Sequence, residues 1–229
     1  MALAADARIL WQMLRGASRS GTHAQRLQQF YGPQADGYDA FRERLLHGRR
    51  ELIERLPLAA GARVIELGGG TGRNLEFFGA RLATFASVEV VDLCPALLAV
   101  ARRRLQHCRN VLLVEADATQ YRPANAPDCV YFSYALTMIP DWRRAVDNAV
   151  GMLARGGVLA VVDFHAPDRG LANRFWRTWF GHDGVWPSAE HLPYLHSRLD
   201  VVFCEQRLGP VPYLPGLRVP YYLFLGRKV

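Results

Sequence analysis

Four glycines fall within five residues, Gly68 to Gly70 and Gly72, directly after a short apolar run from Arg63 to Leu67. The apolar run predicts a buried strand, and residues 74–78 after the glycines predict a helix. Glycine lets the backbone turn sharply and lets a ligand approach where a Cβ would stand in the way. The start of a helix also presents unpaired backbone N–H groups. The stretch therefore predicts a ligand cradle between a strand and a helix.

The spacing of these glycines restricts the class of ligand. A dinucleotide fingerprint needs G-x-G-x-x-G, but the pattern from Gly68 is G-x-G-x-G, and Arg73 stands where the third fingerprint glycine would be. A phosphate P-loop is excluded because no Gly-Lys-Ser/Thr occurs and the only lysine is Lys228. Glu66 places a carboxylate inside the strand just before the turn. That charge would repel a pyrophosphate and would suit a cationic ligand.

The stretch resembles motif I of the class I S-adenosylmethionine-dependent methyltransferases, E/D-x-G-x-G-x-G. The resemblance implies that S-adenosylmethionine binds here and leaves as S-adenosylhomocysteine. It also implies that Glu66 faces the ammonium end of the donor's methionine part, sometimes through water. Gly68, Gly70 and Asn74 are the other donor-binding residues expected in this stretch.

Length and composition favour a single globular domain of 229 residues, with a helical N-terminal extension over 1–62 and a sheet domain over 63–229. No apolar run approaches the roughly 20 residues of a membrane span, and the N-terminus lacks the basic lead of a secretory signal. The four cysteines lie far apart with no C-x-x-C, which predicts no metal site and no disulfides and fits a reducing cytoplasm. The net charge of +7 favours acidic partners, but no block of five or six like charges indicates nucleic acid.

The first 62 residues predict helices. Residues 5–15 form a short amphipathic pattern, and Phe30 to Pro33 predict a turn. A longer helix is expected over residues 39–56, where apolar residues recur at helical spacing until Pro57 ends the pattern.

From residue 63 onward, expected strands and helices alternate, which predicts a parallel sheet with helices on both faces. The expected strands are 63–67, 86–91, 111–115, 129–134, 158–164, 201–208 and 221–226, and the expected helices between them include 95–104 and 141–154. The last two strands predict a hairpin, because a segment dense in Pro and Gly joins them. A terminal antiparallel hairpin on a mostly parallel seven-stranded sheet is the α/β, Rossmann-like class I methyltransferase topology.

Polar residues at the strand ends predict where the donor binds, because ligands of open α/β sheets lie beyond the carboxyl ends of the strands. Asp92 ends the second strand, with Leu93 beside it, and its carboxylate can accept both hydroxyls of a ribose. Asp117 and Ala118 follow the third strand. The resemblance implies that an acidic residue there bonds the exocyclic amine of adenine, whereas a turn cap is the alternative for Asp117. Ser133, at the end of the fourth strand, completes the expected donor site.

A narrower resemblance lies in three segments. They are 38–42 with 46–50, 72–75, and 132–142 with 161–164. Together they look like the bacterial N-methyltransferase of betaine-lipid synthesis, a family that trimethylates the amine of diacylglyceryl-homoserine to give diacylglyceryl-trimethylhomoserine. This resemblance would cover residues 30–165, and the run S-Y-A-L-T-M-I-P-D-W is its most specific part.

Methyl transfer to an amine requires that amine, methyl and sulfur be held in line. We expect Asp163 or His165 to position the amine, although a buried, hydrogen-bonded pair at the strand end is an equal alternative. Aromatic faces bind the quaternary ammonium that three transfers produce. Tyr134 is the catalytic candidate for such a wall, and a packing role is the alternative for each aromatic; the other candidates are Tyr38, Trp142 and Trp176.

Two residues of the extension are assigned to the donor. In related methyltransferases an N-terminal Tyr-Asp segment closes over the donor, which makes Tyr38 a candidate for a lid contact in both binding and catalysis. Arg42 is a candidate for the donor carboxylate, with a solvated arginine on a helix face as the alternative.

A lipid acceptor requires access to a bilayer. The aromatic and basic cluster Arg174 to Phe180, and Trp11 near Arg8 and Arg15, have the composition of interfacial segments, although the cluster is equally suited to cover the active site. We therefore expect a cytoplasmic protein in peripheral membrane contact, with a lipid head group as substrate. Association with the enzyme that makes the homoserine lipid is a further expectation. Competing hypotheses are another acceptor (phosphatidylethanolamine, a quinone precursor or a small amine) and a non-catalytic, donor-binding or membrane-docking subunit.

Overall fold

The computed structural model describes residues 21–32, 43–166, 185–212, 214 and 216–229. Seven strands lie within these ranges. They are β1 (Arg63–Leu67), β2 (Ser87–Asp92), β3 (Val111–Glu115), β4 (Cys129–Ser133), β5 (Val158–Phe164), β6 (Asp200–Pro210) and β7 (Arg218–Arg227). Each of the predicted strands is present, and β1, β3 and β5 have the predicted bounds.

The seven strands form one sheet in the order β3-β2-β1-β4-β5-β7-β6. Strands β1 to β5 pair in parallel, whereas β7 pairs antiparallel with both β5 and β6. The predicted Rossmann-like class, a mostly parallel sheet with an antiparallel C-terminal hairpin, is confirmed. The order reverses between β1 and β4, which is where ligands bind in sheets of this kind.

The helices of the described ranges are α1 (His23–Tyr31), α2 (Arg49–Arg55), α3 (Pro95–Leu105), α4 (Trp142–Met152) and α5 (His191–Arg198). Both α3 and α4 were predicted. Helix α1 was not, and the turn predicted from Phe30 is wrong because the helix continues to Tyr31. The sequence does carry a signal for α1, a capping box in which Thr22 and Gln25 bond each other's backbone N–H groups.

The predicted helix over 39–56 is wrong in its extent. In the part from residue 43 onward, residues 43–45 are helical, but Gly48 takes a left-handed conformation with φ +77° and interrupts the helix, so that α2 begins at Arg49. A Cβ at Gly48 would lie 2.9 Å from the ring of Tyr221, so the chain also passes too close to β7 for a side chain. The break turns Leu46 and Arg49 toward the carboxyl end of the sheet.

The helix predicted after the glycine turn is a 3₁₀ helix over Arg73–Thr84, bent at Gly79. Its buried residues Leu75, Phe77 and Phe78 join the apolar core on one face of the sheet, where Leu52 of α2 also packs. Residues of α4 and α5, such as Val146 and Leu195, fill the core on the other face. The sheet is thus covered on both faces, as its near-continuous apolar strands require.

The segment around α2 is tied to the C-terminal strand β6. Nε2 of His47 donates to the carbonyl oxygen of Pro210 at 2.9 Å. Nη2 of Arg207 donates to Oε1 of Glu51 at 2.9 Å, within an ion pair. At Gly209 an added Cβ would lie 2.0 Å from the imidazole of His47, so the two segments are in close contact.

Three features of the sequence analysis lie outside the described residues: the helix over 5–15, the segment 38–42 and the cluster 174–180. Within the described ranges, none of the helices combines the length and the apolar character of a membrane span.

The first prediction concerns Gly68, which has φ +73° and would bring an added Cβ to 2.5 Å from the Cβ of Ala135. A left-handed alanine costs about 1–2 kcal/mol, and the overlap adds to this, so Gly68→Ala should lower the free energy of unfolding by about 3 kcal/mol. Gly61→Ala is the matched control, because Gly61 also has a positive φ but has no atom within 4 Å of an added Cβ. Urea denaturation measures both, and equal losses would show that the turn accommodates a side chain.

Candidate functional site

A cavity of about 380 Å³ opens at the carboxyl ends of β1 to β4. The glycine turn, the ends of β2 and β3 and the segment 133–141 after β4 supply most of its lining. Leu27 and Tyr31 of α1, with Leu46 and Arg49, close another side. The cavity therefore occupies the place that the topology predicts for a ligand.

The glycine turn is held against the end of β2. The backbone N–H of Gly68 donates to the carbonyl oxygen of Val91 at 2.8 Å, and that of Gly70 donates to Oδ2 of Asp92 at 2.8 Å. Oδ1 of Asp92 accepts from the backbone N–H of Cys94 at 2.8 Å. Burial raises the pKa of Asp92, although these hydrogen bonds act in the opposite direction. The carboxylate lines the cavity with lone pairs left to accept hydroxyl groups.

The end of β3 contributes a second carboxylate. Oδ1 of Asp117 accepts from the backbone N–H of Thr119 at 2.8 Å. Asp117 therefore caps a turn, which was the alternative role predicted for it. Asp117 nevertheless lines the cavity, together with the predicted neighbours Leu93 and Ala118. The cap and a ligand contact are therefore compatible at this residue.

Glu66 lies fully buried beneath the turn and is not part of the cavity lining. Its oxygens accept from Nδ2 of Asn74 at 2.6 Å and from the hydroxyl of Tyr131 at 2.9 Å. Burial raises the pKa of Glu66 to about 7 in spite of these hydrogen bonds. A direct contact between Glu66 and a ligand stays a prediction, because Asn74, to which Glu66 is bonded, lines the cavity and Glu66 does not.

Asn74 also contacts a cation. Its Oδ1 accepts from Nη1 of Arg49 at 3.2 Å, so one amide bonds a buried carboxyl group on one side and a buried guanidinium on the other. Asn74 and Arg49 both line the cavity. At this end the lining therefore holds the guanidinium of Arg49 and the amide of Asn74, with the carboxyl group of Glu66 behind them, whereas Asp92 and Asp117 are carboxylates of the lining itself.

The end of β4 brings Ser133 and Tyr134 to the cavity. Oγ of Ser133 is buried and has no hydrogen-bond partner among the described residues, which indicates a polar group that a ligand satisfies. Tyr134 has φ +54°, an outlier for a bulky residue. Its hydroxyl donates to the carbonyl oxygen of His47 at 2.8 Å. Burial raises the pKa of Tyr134 well above its usual value, so this phenol does not serve as a base near neutral pH.

Asp163 and His165 do not line the cavity. Asp163 is fully buried, and it accepts from Oγ1 of Thr137 at 2.7 Å and from two backbone N–H groups. Burial raises its pKa to about 6. His165 instead lines a separate, shallow depression beside Tyr221. The structure thus places Asp163 as the buried strand-end group that the sequence left as the alternative, and it holds the turn over Leu136–Met138.

The other sequence candidates divide into two groups. Tyr38, Arg42 and Trp176 lie outside the described residues. Trp142 lies outside the cavity lining and packs edge-on against His191 and Tyr194, with ring centroids 4.5 and 5.3 Å apart. The contacts of Trp142 therefore fit the alternative prediction, a packing role, better than a place in an aromatic wall of the cavity.

Sequence reasoning did not place the cavity residues that precede the sheet: Leu27, Tyr31, Leu46 and Arg49. The capping box at Thr22 was a local signal for the first two, since it begins the helix that carries them. No local signal marked the other two, because their position depends on the contact of residues 46–48 with β6 and β7.

The family described as "Methyltransferase domain" has a sequence model that matches residues 38–201, well over half of the chain. This chain belongs to the methyltransferase family. Together with the seven-stranded fold, the match establishes a class I S-adenosylmethionine-dependent methyltransferase, and S-adenosylmethionine is the methyl donor.

Curated relatives cover part of the enzyme. The trans-aconitate 2-methyltransferase of Methylobacterium radiotolerans is 37% identical over 126 residues, which are 54% of this chain and 46% of the relative. The enzyme of the same name from Variovorax paradoxus is 36% identical over 125 residues, 54% of this chain and 47% of the relative. The chain thus matches about half the length of these relatives.

Solved structures share the fold. N-methyltransferase NodS from Bradyrhizobium japonicum, in complex with S-adenosylhomocysteine, has a TM-score of 0.68 at 22% identity and covers 88% of this chain and 97% of its own. Phosphoethanolamine N-methyltransferase 2 of Haemonchus contortus has a TM-score of 0.70 at 14% identity. The alignment covers 92% of this chain and 60% of that enzyme. At these identities the likeness concerns the fold alone.

The cavity residues fit the donor. When bound, S-adenosylmethionine supplies a methyl group on a sulfonium, which passes directly to a nucleophile. The bare backbone of Gly68 to Gly70 gives close approach, Asp92 presents a carboxylate, and the buried Oγ of Ser133 has no hydrogen-bond partner within the described part of the chain. The enzyme's contribution is therefore to bind, orient and exclude water. In the described ranges, no group of three or more His, Cys, Asp or Glu side chains is arranged to hold a metal ion.

The second prediction concerns Glu66, whose folded pKa of about 7 lies above the ordinary 4.5. A carboxyl group with a raised pKa contributes stability that is complete below pH 4.5 and is lost as pH rises through about 7. Glu66→Gln cannot ionise, so its free energy of unfolding relative to the wild type should grow by about 3 kcal/mol between pH 4.5 and about 8.5.

Urea titrations of the ligand-free proteins across this pH range measure the difference. Glu54→Gln is the control, because Glu54 is an exposed carboxylate on α2. A difference between Glu66→Gln and the wild type that stays constant with pH would contradict the raised pKa.

Proposed function

We propose that this enzyme methylates the amine of diacylglyceryl-homoserine three times to form the betaine lipid diacylglyceryl-trimethylhomoserine. The observation that carries the proposal is the place of the segment with the most specific resemblance, residues 132–142. Its members that line the cavity are Ser133, Tyr134, Ala135, Met138, Ile139, Pro140 and Asp141. Because β4 pairs with β1, this segment adjoins the glycine turn. A resemblance to the betaine-lipid enzyme in residues that line the cavity supports a shared acceptor more strongly than a resemblance in residues buried inside the sheet would.

The cavity suits a reaction driven by orientation. An attacking amine must be neutral, and no histidine belongs to the described lining of the cavity. The phenol of Tyr134 is bonded to His47, so the proton is expected to leave to solvent. Holding the reactants in line contributes up to about 7–11 kcal/mol in favourable cases. The rings of Tyr31 and Tyr134 in the lining supply faces on which a quaternary ammonium binds well.

A small polycarboxylate is the second candidate acceptor. The names of the curated relatives favour it, and Arg49 and Arg144 in the lining provide positive charge for carboxylates. The homoserine head group also carries one carboxylate, so the arginines alone do not separate the two candidates. The half-length match to the relatives keeps the acceptor a proposal for this enzyme.

The third prediction tests the acceptor directly. Incubation with S-adenosylmethionine and diacylglyceryl-homoserine in detergent should give three successive mass gains of one methylene each, read by lipid mass spectrometry. Phosphatidylethanolamine and trans-aconitate, supplied in parallel, should remain unchanged. Methylation of either one without a gain on diacylglyceryl-homoserine would refute the betaine-lipid proposal. Donor binding without turnover on any acceptor would favour a non-catalytic subunit.

A lipid acceptor implies that the enzyme approaches a membrane surface and the enzyme that makes the homoserine lipid. Trp186 supports such an approach, because it is 63% exposed and its backbone N–H donates to the carbonyl oxygen of Thr137, next to the cavity residue Met138. Tryptophan prefers the interface between water and lipid, and the net charge of +7 favours an anionic surface.

The fourth prediction concerns that surface. The protein should float with anionic liposomes at low salt and should detach as salt screens the attraction. Trp186→Ala should lower the bound fraction severalfold. Leu112→Ala is the matched control, because Leu112 is 56% exposed but lies on β3 at the far edge of the sheet. Absence of a bound fraction at low salt would contradict membrane binding. Equal losses in both variants would show that Trp186 makes no specific contact with the membrane.

A further inference from the structure

The hairpin formed by β6 and β7 ends in an apolar tip, which we define as residues 208–217. These ten residues include no charged side chain, and the hydroxyl of Tyr213 is their only polar side-chain group. Turns at a protein surface commonly contain Asn, Asp or Ser, which are absent here. Arg207 and Arg218 flank the tip directly. The tip therefore differs from an ordinary surface turn, because it places apolar side chains between two cations.

The tip lies at the edge of the sheet where the cavity opens. Strand β7 pairs antiparallel with β5, and at the end of this pairing the backbone N–H of His165 donates to the carbonyl oxygen of Pro220 at 2.9 Å. The hairpin residues that precede Pro220 therefore extend beyond the carboxyl end of β5. The contact of His47 with Pro210 joins the tip to the segment that carries the lining residue Arg49. A surface that binds the tip would therefore lie beside the cavity.

Hydrogen bonds within the tip satisfy several of its backbone donors. The N–H of Val211 donates to the carbonyl oxygen of Leu217 at 3.1 Å, that of Leu217 to Leu214 at 3.1 Å, and that of Leu214 to Val211 at 3.3 Å. The three prolines of the tip have no N–H group. Moving an unpaired polar group out of water costs free energy, whereas these donors are already bonded. The tip can therefore leave water at a low cost in backbone desolvation.

Two leucines of the tip face solvent. Leu208 is 57% exposed and Leu214 is 43% exposed, whereas Val211 and Leu217 pack against the core. The packed pair holds the tip in position, and the exposed pair offers apolar surface to a partner. Trp186 at the same edge of the sheet adds a third exposed apolar side chain.

A depression lined by hydrogen-bond donors includes Leu208. Its polar lining residues are His165, Gln206, Arg207, Arg218 and Tyr221, and none of its described lining residues is an acid. Arg207 is already paired with Glu51 and Glu205. Arg218 is exposed and has no ion pair or hydrogen bond within the described part of the chain. The depression therefore suits an anionic group, and Arg218 is a cation available to it.

We propose that the hairpin tip docks on a bilayer that contains anionic phospholipids. Leu208 and Leu214 lie in the interfacial region, and Arg218 pairs with a lipid phosphate. A bilayer surface offers phosphate groups directly above an apolar phase, so it complements the donor-lined depression and the exposed leucines together. The proposal rests on the membrane approach proposed above, but it does not depend on the identity of the acceptor.

Flotation with liposomes, without donor or acceptor, tests the docking. On vesicles of phosphatidylcholine and phosphatidylglycerol, Leu214→Gln should lower the partition constant at least about fivefold, because an apolar contact with lipid is lost. Arg218→Gln should lower it about fivefold on these vesicles. On vesicles of phosphatidylcholine alone, Arg218→Gln should stay within about twofold of the wild type, whereas Leu214→Gln should still bind more weakly.

Leu112→Gln and Arg109→Gln are the matched controls. Leu112 is 56% exposed on β3, and Arg109 is exposed just before β3, so both lie away from the hairpin. Both controls should float as the wild type does. Every variant should bind S-adenosylhomocysteine with the affinity of the wild type, which shows that it is folded.

No flotation of the wild type, equal flotation of Leu214→Gln and the wild type, or equal losses in the controls would overturn the proposal. Release of the wild type from vesicles by inorganic phosphate, but not by chloride at the same ionic strength, would assign the depression to free phosphate instead of lipid. Self-association in sedimentation that Leu214→Gln abolishes would assign the tip to a second copy of the chain. Because no acceptor is present, docking can hold while the betaine-lipid proposal fails, and methylation in detergent can hold while docking fails.

Discussion

The contact of Asn74 with Glu66 and Arg49 is the interaction on which the arrangement of the cavity beside the glycine turn depends. It joins three elements: β1 supplies the carboxyl group of Glu66, the 3₁₀ helix supplies the amide of Asn74, and α2 supplies the guanidinium of Arg49. Burying a charge is costly unless it is paired and hydrogen-bonded. The amide of Asn74 gives each of these two buried groups a hydrogen bond, because it accepts from the guanidinium and donates to the carboxyl group. It also lies between the two groups. The glycine turn can then pass over Glu66 with its backbone facing the ligand.

Carboxylates at the strand ends serve two purposes in this sheet. Asp92 and Asp117 bond nearby backbone N–H groups with one part of the carboxylate and still line the cavity. Glu66 and Asp163 accept hydrogen bonds from side chains in the core, and both are buried behind the residues that line the cavity. The difference follows from local geometry, because a carboxylate that bonds a side chain in the core cannot also reach the cavity. Buried acids of the second kind position the segments that touch the ligand.

The local parts of the fold were predictable, and the tertiary parts were not. Strands β1, β3 and β5 were found with correct bounds because short apolar runs and turn residues delimit them. Asp92, Asp117 and Ser133 were placed at the cavity because each lies at or just beyond the carboxyl end of a strand that borders it. The burial of Asp163 depends on Thr137, 26 residues away in sequence, which no local pattern reveals. The position of Arg49 in the lining likewise depends on Gly48, whose left-handed turn lies in close contact with Tyr221 of β7.

The ties between the α2 segment and β6 have a consequence for how the chain matures on the ribosome. Glu51 and Arg207 are separated by 156 residues, and His47 and Pro210 by 163. Synthesis runs from the N-terminus, so the partners that seat His47 and Glu51 emerge only after strands β1 to β5. Strands β2 and β3, which end at Asp92 and near Asp117, can assemble earlier, but the wall with Arg49 is held in place only once β6 and β7 have paired. A nascent chain therefore forms the part of the cavity lined by Asp92 and Asp117 before the part lined by Arg49.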